Sequence, residues 1–513
     1  MTVRLRYAPS PTGDPHVGNI RTALWSWLHA RRLGGAFVLR LEDTDQSRAV
    51  EGSLQRIEDS LRWLGMEWDE GPEEGGPYGP YVQSERLERY HEATDRLLAA
   101  DDAYHCFCTP DDLRQMREQQ RASGQPPGYA GRCRGLDPDE AAARAAAGES
   151  CVVRFKMPQE GSTTFEDMIR GPITYENRVL DDFVMLKSDR FPTYHLAHVV
   201  DDHAMEITHV TRGDEWIPST PRHVRLFEAL GYEPPVFVHT PVILGPDGGK
   251  LSKRHGAKSV LDYADEGYLP EALCNFLAII GWAPDGSTEI LSQDELIESF
   301  DLARLNPAPA TFDTEKLEWM NGVYMRSLSL GDLAGRFTER LDDDLPAEVA
   351  RPLDAGLVDA FTPLIQERVK LLSEVAPMTD FFFVDDVEVA EPGEFIARGM
   401  RKTTERAAPA LEGAVAALEP LATDWRAEPI EAALRALAEE LGLRAGDLFM
   451  LCRVAVTGKR ITPPLFETME IVGAGPSLAR MRAAVPVLAA AYPSDAPDGV
   501  EGGEGVEGGE SGS

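Results

Sequence analysis

The sequence predicts an α/β protein, with a doubly wound, Rossmann-like domain that is interrupted by an inserted α+β domain and followed by an all-helical C-terminal half. Three observations lead to this fold class. A strand, a turn rich in proline and glycine, a helix and a second strand follow one another within about 40 residues. A segment with three closely spaced cysteines then interrupts the alternation of strands and helices. The last third of the chain shows helical periodicity with almost no strand signal.

The N-terminal βαβ unit is the best-defined element. We predict a strand over Val3–Tyr7, a loop over Pro9–Gly18, a helix over Asn19–Leu33 and a strand over Ala36–Leu41. The pair Gly34-Gly35 ends the helix. A strand, a helical crossover and a second strand of these lengths indicate the start of a parallel sheet.

The remaining boundaries follow from changes in these patterns. At 513 residues the chain is long enough for three or four domains of about 150 residues. We assign residues 1–90 and 183–245 to the Rossmann-like domain, 91–182 to the inserted domain, 246–325 to a further domain and 326–491 to the helical region. Helical periodicity is clearest in Arg406–Leu418 and Pro429–Leu441. Residues 492–513 are mainly Gly, Glu, Ser and Asp, so we expect a disordered acidic tail.

Composition limits the classes of function. The chain has 86 acidic and 51 basic residues and a net charge of -35, which repels polyanions as a whole, although a local basic track would still allow nucleic-acid binding. No stretch approaches the roughly 18 consecutive apolar residues of a membrane span, and the first residues do not resemble a signal peptide. Six cysteines favour reduced thiols or a metal site over a disulfide framework. We expect a cytoplasmic, monomeric protein that is not bound to a membrane.

Two short motifs carry the chemistry. His16-Val17-Gly18-Asn19 lies where the first helix begins, and a helix N-terminus is a favourable site for phosphate groups. Among 11 histidines and 45 glycines, about one His-x-Gly arises by chance, so a surface histidine beside a helix cap is the alternative. Lys250-Leu251-Ser252-Lys253-Arg254 follows a glycine-rich loop and brings three cations that suit closure over phosphates. A solvated basic turn is the alternative here, but lysine is rare in this chain.

The two motifs together resemble the signatures of class I aminoacyl-tRNA synthetases, and the neighbouring blocks are similar to those of the bacterial glutamyl enzymes. These blocks occur in the order and spacing of the family: Arg6-Tyr-Ala-Pro-Ser-Pro-Thr-Gly-Asp-Pro-His-Val-Gly18, Arg40-Leu-Glu-Asp-Thr-Asp45, Tyr194-His-Leu-Ala197, Val199-Val-Asp-Asp-His203 and Thr211-Arg-Gly-Asp-Glu-Trp216. The resemblance extends from residue 3 to about residue 490 and leaves out only the acidic tail.

The resemblance implies a ligase that uses ATP to convert L-glutamate to glutamyl-adenylate and then transfers it to the 2′-hydroxyl of the terminal adenosine of tRNA(Glu). It assigns catalysis to His16, Lys250 and Lys253. It assigns the binding of ATP, which enters with Mg²⁺, to His16, Gly18, Glu215, Trp216, Lys250, Ser252 and Lys253. No side chain is expected to act as a nucleophile, so catalysis would consist of positioning and charge stabilisation.

Glutamate carries two carboxylates and one ammonium group, so its pocket should contain fixed guanidinium groups and a single acid. The positions that the family uses for these roles match Arg6, Arg212 and Glu42, with neutral hydrogen bonds from Ser10 and Tyr194. His198 stands where some relatives place an asparagine in the amino-acid pocket, and it keeps that position polar. Without the motifs, a salt bridge that orders the sheet edge would be the simpler explanation for each charged residue.

The cysteines of the inserted domain indicate a structural zinc site. Cys106, Cys108 and Cys133 are spaced so that three thiolates can converge on tetrahedral zinc. Some relatives place the fourth ligand two residues after the last cysteine, but Gly135 occupies that place here. Tyr129 matches the fourth ligand of close paralogues instead. The zinc would shape a domain that grips the acceptor stem, and ordinary reduced cysteines are the alternative.

In the helical region the resemblance implies anticodon reading by Arg368, Arg453 and Leu465. Solvated arginines and a core leucine are the alternative. An arginine at position 368 favours an enzyme restricted to tRNA(Glu), while a non-discriminating enzyme that also charges tRNA(Gln) stays open. The residues before this region, 246–325, would contact the stem and carry the lysine loop.

Three other functions are less favoured. A glutaminyl enzyme would have the strand-rich segments of a β-barrel anticodon domain, which the C-terminal half lacks. A catalytically silent tRNA-binding protein would be expected to have lost a phosphate motif, and both motifs are intact. A nucleotidyltransferase that condenses a small acid with ATP would share both motifs but would have no use for the long helical region.

Overall fold

The computed structural model describes residues 2–251 and 258–493. The predicted ATP-binding residues Ser252 and Lys253 and most of the predicted acidic tail lie outside the described residues. The chain forms two compact units, one up to Met320 and one from Asn321 onward, and the division falls within the helix Thr314–Ser327.

The first unit contains every strand that the described residues form. In chain order these are β1 (Arg4–Tyr7), β2 (Ala36–Leu39), β3 (Ala103–Cys106), β4 (Val152–Phe155), β5 (Ser162–Asp167), β6 (Gly171–Glu176), β7 (Val184–Leu186), β8 (His209–Gly213), β9 (Val236–Thr240), β10 (Ile243–Leu244) and β11 (Ala310–Thr311). Its helices are α1 (Val17–Arg32), α2 (Ser53–Trp63), α3 (Leu87–Ala99), α4 (Pro110–Ala122), α5 (Pro138–Ala146), α6 (Tyr194–Ala204), α7 (Thr220–Ala229), α8 (Val260–Asp265), α9 (Pro270–Ile279) and α10 (Gln293–Ser299), followed by α11 (Thr314–Ser327) at the division.

A parallel sheet forms the centre of the first unit. β1 pairs with β2, and β8 pairs with β9 in the same parallel orientation. β8 lies beside β1, because Thr208 donates its backbone N–H to the Arg4 carbonyl at 2.9 Å. The strands therefore run in the order β2, β1, β8, β9, with their carboxyl ends at one edge, where open α/β sheets bind ligands. This arrangement confirms the doubly wound fold class.

The first crossover differs from the predicted boundaries at both ends. α1 begins at Val17 instead of Asn19, because the His16 side chain accepts the Gly18 N–H and so caps the helix. β2 ends at Leu39 instead of Leu41, because the Leu41 N–H turns to the Tyr81 carbonyl at 2.9 Å.

The segment between the two halves of the sheet forms antiparallel structures. β3, β4 and β7 make a small antiparallel sheet, and β5 and β6 make a hairpin. Asp167 at the end of β5 pairs with Phe237 of β9, so the hairpin is attached to the parallel sheet. Phe155 and Phe165 of this segment share one hydrophobic core with Val210 of the sheet.

The second unit is built from helices, and residues 321–493 contain no strand. Its helices are α12 (Leu330–Asp344), α13 (Ala355–Ile365), α14 (Val375–Thr379), α15 (Pro392–Phe395), α16 (Ala407–Leu418), α17 (Ala427–Glu440), α18 (Ala445–Thr457), α19 (Leu465–Val472) and α20 (Ala474–Ala491). α16 and α17 coincide with the two periodic segments of the sequence to within two residues. Leu411, Leu451 and Met481 form part of the core between α16, α18 and α20. The helical C-terminal half is thereby confirmed. Every described helix is too short or too polar to cross a bilayer.

Candidate active site

A cleft of about 820 Å³ opens at the carboxyl edge of the parallel sheet, beside the N-terminus of α1. Its walls come from the loop after β1, from α1, from the segment after β2 and from the region of β8. Eight of the residues proposed from the sequence line this cleft: Arg6, Ser10, His16, Glu42, Tyr194, Arg212, Glu215 and Trp216. Residues that are up to 210 positions apart in the sequence are thus brought into one cavity.

The mouth of α1 presents hydrogen-bond donors to the cleft. His16 Nδ1 accepts the Gly18 N–H at 3.1 Å, which places the proton of the neutral ring on Nε2 and makes that nitrogen a donor. A Cβ atom at Gly18 would lie only 3.1 Å from the His16 ring, so glycine leaves room for this ring position. Gly18 itself does not line the cleft, whereas Asn19 and Thr22 of the first turns do. The positive end of the helix dipole therefore faces a cavity that suits an anion.

Arg212 is a buried cation whose hydrogen-bond acceptors are all neutral. The residue is 6% exposed, and its guanidinium donates to His239 Nε2 at 3.1 Å, Thr220 Oγ1 at 2.8 Å, His223 Nδ1 at 3.2 Å and the Tyr194 hydroxyl at 3.3 Å. Burial lowers the pKa of both imidazoles, so they stay neutral. Four of the five guanidinium N–H groups are engaged in this way, and no described carboxylate forms an ion pair with Arg212. Hydrogen bonds therefore hold the Arg212 guanidinium in place, but no described carboxylate neutralises its positive charge.

The other charges beneath the cleft compensate one another. Arg6 Nε lies 3.1 Å from Asp202 Oδ1, and Arg40 bridges Asp202 at 2.8 Å and Glu42 at 3.1 Å. Burial alone would raise the pKa of Asp202, but the Arg6 and Arg40 guanidinium groups hold it well below its usual range. Arg6 and Arg40 thus balance Asp202 and Glu42, whereas Arg212 has no carboxylate partner among the described residues. The region of the cleft around Arg212 is therefore suited to a substrate carboxylate.

The structure does not bring His198 to the cleft. His198 is 0% exposed and lies behind Tyr194, whose ring stacks on it with centroids 5.3 Å apart. Its Nδ1 is 2.6 Å from Asp202 Oδ2, and burial lowers the pKa of the imidazole to about 3. The predicted substrate contact is therefore replaced by a supporting position beside Asp202, because α6 turns this side chain into the core.

Described residues before and after residues 252–257 contact residues that line the cleft. Lys250 Nζ lies 3.8 Å from Glu215 Oε1, and both side chains are more than half exposed. On the other side of residues 252–257, Ser259 forms an antiparallel bridge with His16, and the Val260 N–H donates to the Pro15 carbonyl at 3.3 Å. The described residues on either side of 252–257 therefore contact residues of the cleft.

The predicted zinc ligands form one compact group. The Sγ atoms of Cys106, Cys108 and Cys133 all lie within 4.8 Å of one another, and the last two are 3.6 Å apart. The Tyr129 hydroxyl is 3.4 Å from Cys106 Sγ and 3.9 Å from Cys108 Sγ. Tetrahedral zinc with Zn–S bonds of about 2.3 Å needs sulfur atoms roughly 3.8 Å apart. The donor set and its spacing fit such an ion.

The proposed anticodon residues differ in exposure. Arg368 is exposed, and Arg453 is partly buried on α18, where it donates to the Pro463 carbonyl at 2.8 Å. Burial, and to a smaller extent the positive charge of Arg368, lower the pKa of Arg453. Leu465 is only 4% exposed and packs in the helical core, so the structure does not present it to a ligand.

Several cleft residues were missed by the sequence analysis. The Tyr7 hydroxyl is buried, lines the cleft and has no hydrogen-bond partner among the described residues. Lys187 lines the opposite wall and donates to the Thr44 carbonyl at 3.1 Å. His223 and His239 lie behind Arg212 and carry no motif of their own. Only Tyr7 could have been found from the sequence, since it lies within the first motif block, between Arg6 and Ser10.

Comparisons with known proteins agree with this geometry. Residues 2–319 match the family described as tRNA synthetases class I (E and Q), catalytic domain, and residues 333–485 match a family described as anticodon binding domain. The chain is 50% identical over 483 residues to a glutamate–tRNA ligase of Dehalococcoides mccartyi, covering 94% of this chain and 98% of the relative. It is 48% identical over 490 residues to that of Acidothermus cellulolyticus, covering 95% and 96%. A crystal structure of a glutamate tRNA ligase from Elizabethkingia meningosepticum in complex with its amino acid superimposes with a TM-score of 0.84 at 36% identity, covering 95% of this chain and 100% of that one.

Proposed function

This chain belongs to the class I tRNA synthetases of the glutamate and glutamine type, and on that premise we propose that it is a glutamate–tRNA ligase that joins L-glutamate to tRNA(Glu) with the use of ATP. The observation that carries the proposal is Arg212, a buried guanidinium that is fixed by neutral acceptors and has no carboxylate partner among the described residues. A substrate carboxylate would supply the missing negative charge. Glutamine, which has no side-chain carboxylate, would leave this charge buried and uncompensated.

Glu42 completes the recognition of the amino acid. Its carboxyl lines the cleft, and one oxygen is held at 3.1 Å by Arg40. Burial raises the pKa of Glu42, and the Arg40 and Arg6 guanidinium groups oppose that rise. A substrate ammonium group would further stabilise the charged form of Glu42. Glu42 and the Arg212 guanidinium, which has no described carboxylate partner, fit the ammonium group and a carboxylate of the amino acid, and both line the same cleft.

The first chemical step is an in-line displacement at the α-phosphorus of ATP. An oxygen of the glutamate α-carboxylate forms the new P–O bond, the bond to the β-phosphate oxygen breaks, and pyrophosphate leaves. The Mg²⁺ that accompanies ATP would neutralise charge on the leaving pyrophosphate. The mouth of α1 and the His16 Nε2 donor lie where the phosphates would be held, and Lys250 would approach from the Glu215 side.

In the second step the 2′-hydroxyl of the terminal adenosine attacks the carbonyl carbon of glutamyl-adenylate. The ester bond forms, AMP leaves, and the hydroxyl proton ends on AMP or solvent. We propose that the enzyme acts as a monomer. We place the acceptor stem on residues 91–182 and 246–325 and the anticodon on the helical unit.

We further propose that Cys106, Cys108, Cys133 and the Tyr129 hydroxyl hold a structural zinc ion. The spacing of these donors supports it. Metal analysis of the purified protein should find about one zinc per chain, and Cys108→Ser should lose the metal and melt at a lower temperature. Cys151→Ser is the matched control, because Cys151 lies outside the group and beside His105 instead. Wild-type protein free of zinc after purification under metal-replete conditions would reject the site.

The proposed reaction is tested by charging purified tRNA(Glu) and tRNA(Gln) with labelled glutamate. We expect ATP-dependent labelling of tRNA(Glu) and, because residue 368 is an exposed arginine, little labelling of tRNA(Gln). Equal labelling of both would favour the non-discriminating alternative. Labelling of neither, by a folded protein, would refute the ligase proposal.

A further inference from the structure

The turn of the β5–β6 hairpin is tied to the cleft through a single carboxylate. Asp167 is 2% exposed, and its Oδ1 accepts the backbone N–H groups of Ile169 and Arg170, each at 3.0 Å. Its Oδ2 accepts the backbone N–H of His239 at 3.0 Å and lies 2.7 Å from His239 Nδ1. Asp167 therefore fixes both the hairpin turn and the His239 ring.

This contact determines which nitrogen of His239 carries the proton. Burial alone would raise the pKa of the Asp167 carboxyl, but the hydrogen bonds from the His239 ring and from the backbone N–H groups of His239 and Ile169 hold it below its usual value, so the group is a carboxylate that can only accept. The proton of the neutral imidazole is then on Nδ1, and Nε2 is left as an acceptor. Arg212 Nε can only donate, and it lies 3.1 Å from that same Nε2. The reversed tautomer would set two N–H donors against each other.

A second contact joins the same turn to the cleft wall. Arg170 Nη2 lies 3.1 Å from Asp214 Oδ2, and Asp214 immediately precedes the cleft residue Glu215. Arg170 Nε also donates to the His239 carbonyl at 3.4 Å. The hairpin turn thus holds His239 by its backbone and by its ring.

We propose that Asp167 is a positioning residue that acts through His239 to hold Arg212 in the orientation required by the substrate carboxylate. The inference rests on the proposed function and deepens it, since it assigns control of glutamate binding to a hairpin in the segment that we place against the acceptor stem. Movement of this hairpin on tRNA binding would be transmitted to Arg212 through one hydrogen-bonded ring. Asp167 does not contact the substrate itself.

The test is a double-mutant cycle read as steady-state KM for glutamate and KM for ATP. Asp167→Asn removes the charge that fixes the tautomer, and we expect KM for glutamate to rise about tenfold or more, with KM for ATP changed less than twofold. His239→Gln carries its own cost, but its amide oxygen can accept from Arg212 without help from Asp167. In that background, Asp167→Asn should add less than a twofold increase.

A purely structural role for Asp167 predicts a different pattern. In that case Asp167→Asn would raise KM for glutamate and KM for ATP together, or it would raise KM for glutamate by the same factor in the wild type and in the His239→Gln variant. Either result would overturn the proposal. Glu166→Gln is the matched control, because Glu166 is the exposed neighbour on the same strand, and it should leave both KM values unchanged.

Two further comparisons keep the test decisive. If Asp167→Asn does not fold, His239→Asn is compared with His239→Gln, because the shorter amide mimics only Nδ1 and cannot reach Arg212. We expect KM for glutamate to be about tenfold higher for His239→Asn, and equal values would reject the proposal. If the wild-type enzyme does not charge tRNA at all, the proposed function fails. If the wild-type enzyme charges tRNA but Asp167→Asn leaves its KM for glutamate unchanged, only the proposal for Asp167 fails.

Discussion

Replacement of Arg212 is the perturbation whose effect can be worked out most fully from the structure. Arg212→Lys keeps a positive charge but loses the planar fork that donates to His239, Thr220, His223 and Tyr194. A hydrogen bond to a charged partner contributes about 1.5–3 kcal/mol, and the one guanidinium N–H that is not engaged by the protein can make one such bond to a substrate carboxylate. Since about 1.4 kcal/mol is a factor of ten, kcat/KM for glutamate should fall roughly tenfold to a hundredfold. Arg212→Gln also removes the charge and should cost about a thousandfold.

The assay is aminoacylation of tRNA(Glu) with labelled glutamate at saturating ATP, followed by the same measurement with ATP varied. Most of the loss should appear as a higher KM for glutamate. Arg225→Lys on α7 is the matched control, because Arg225 pairs with Glu228 outside the cleft and its side chain is 27% exposed. It should change kcat/KM less than twofold. The reasoning is refuted if Arg212→Lys keeps kcat/KM for glutamate within about fivefold of wild type, or if it affects ATP and glutamate equally.

The remaining predictions concern a buried hydroxyl, buried imidazoles and tRNA choice. Tyr7→Phe should raise the free energy of unfolding by about 1 kcal/mol, because the hydroxyl is buried and has no described partner; a melting temperature below that of the wild type would contradict this. Burial lowers the pKa of His29 to about 4 and that of His198 to about 3, below the unfolded value near 6.5, so the unfolded state binds protons first as the pH falls. The free energy of unfolding should therefore have its full value above about pH 6.5 and be lower by about 1.4 kcal/mol per histidine at pH 5.5. Thermal melts in which the melting temperature does not fall between pH 7.5 and 5.5 would disprove this. Arg368→Gln should raise charging of tRNA(Gln) relative to tRNA(Glu) at least tenfold, whereas Arg401→Gln at another exposed position of the helical unit should not; equal ratios in both variants would show that Arg368 does not discriminate.

The main architecture could be predicted because it follows from local patterns. The strand, turn and helix from Arg4 to Arg32 are set by residue types that lie next to one another, and the same is true of α16 and α17. The motif residues meet in one cleft because parallel strands bring their carboxyl ends to one edge. Eight of the proposed residues line it for this reason.

The details that escaped prediction depend on packing between distant segments. His198 lies between the Tyr194 and Val199 blocks, and its burial depends on the packing of α6 against His223 and Phe227 of α7. Leu465 is drawn into the helical core for the same kind of reason. The link from Asp167 to His239 spans 72 residues and involves no recognisable motif, so only the folded chain reveals it.

The central claim is that one cleft binds the amino acid and the nucleotide together, and a single ligand tests it most directly. Glutamyl-sulfamoyl adenosine is a stable mimic of glutamyl-adenylate, and its affinity can be measured by calorimetry in the presence of tRNA(Glu). We compare wild-type protein with Arg212→Gln at the amino-acid end and His16→Asn at the nucleotide end, where asparagine can still cap α1. Both variants should bind the analogue at least about tenfold more weakly while keeping the wild-type melting temperature. Wild-type affinity in either variant would show that the two ends do not serve one ligand.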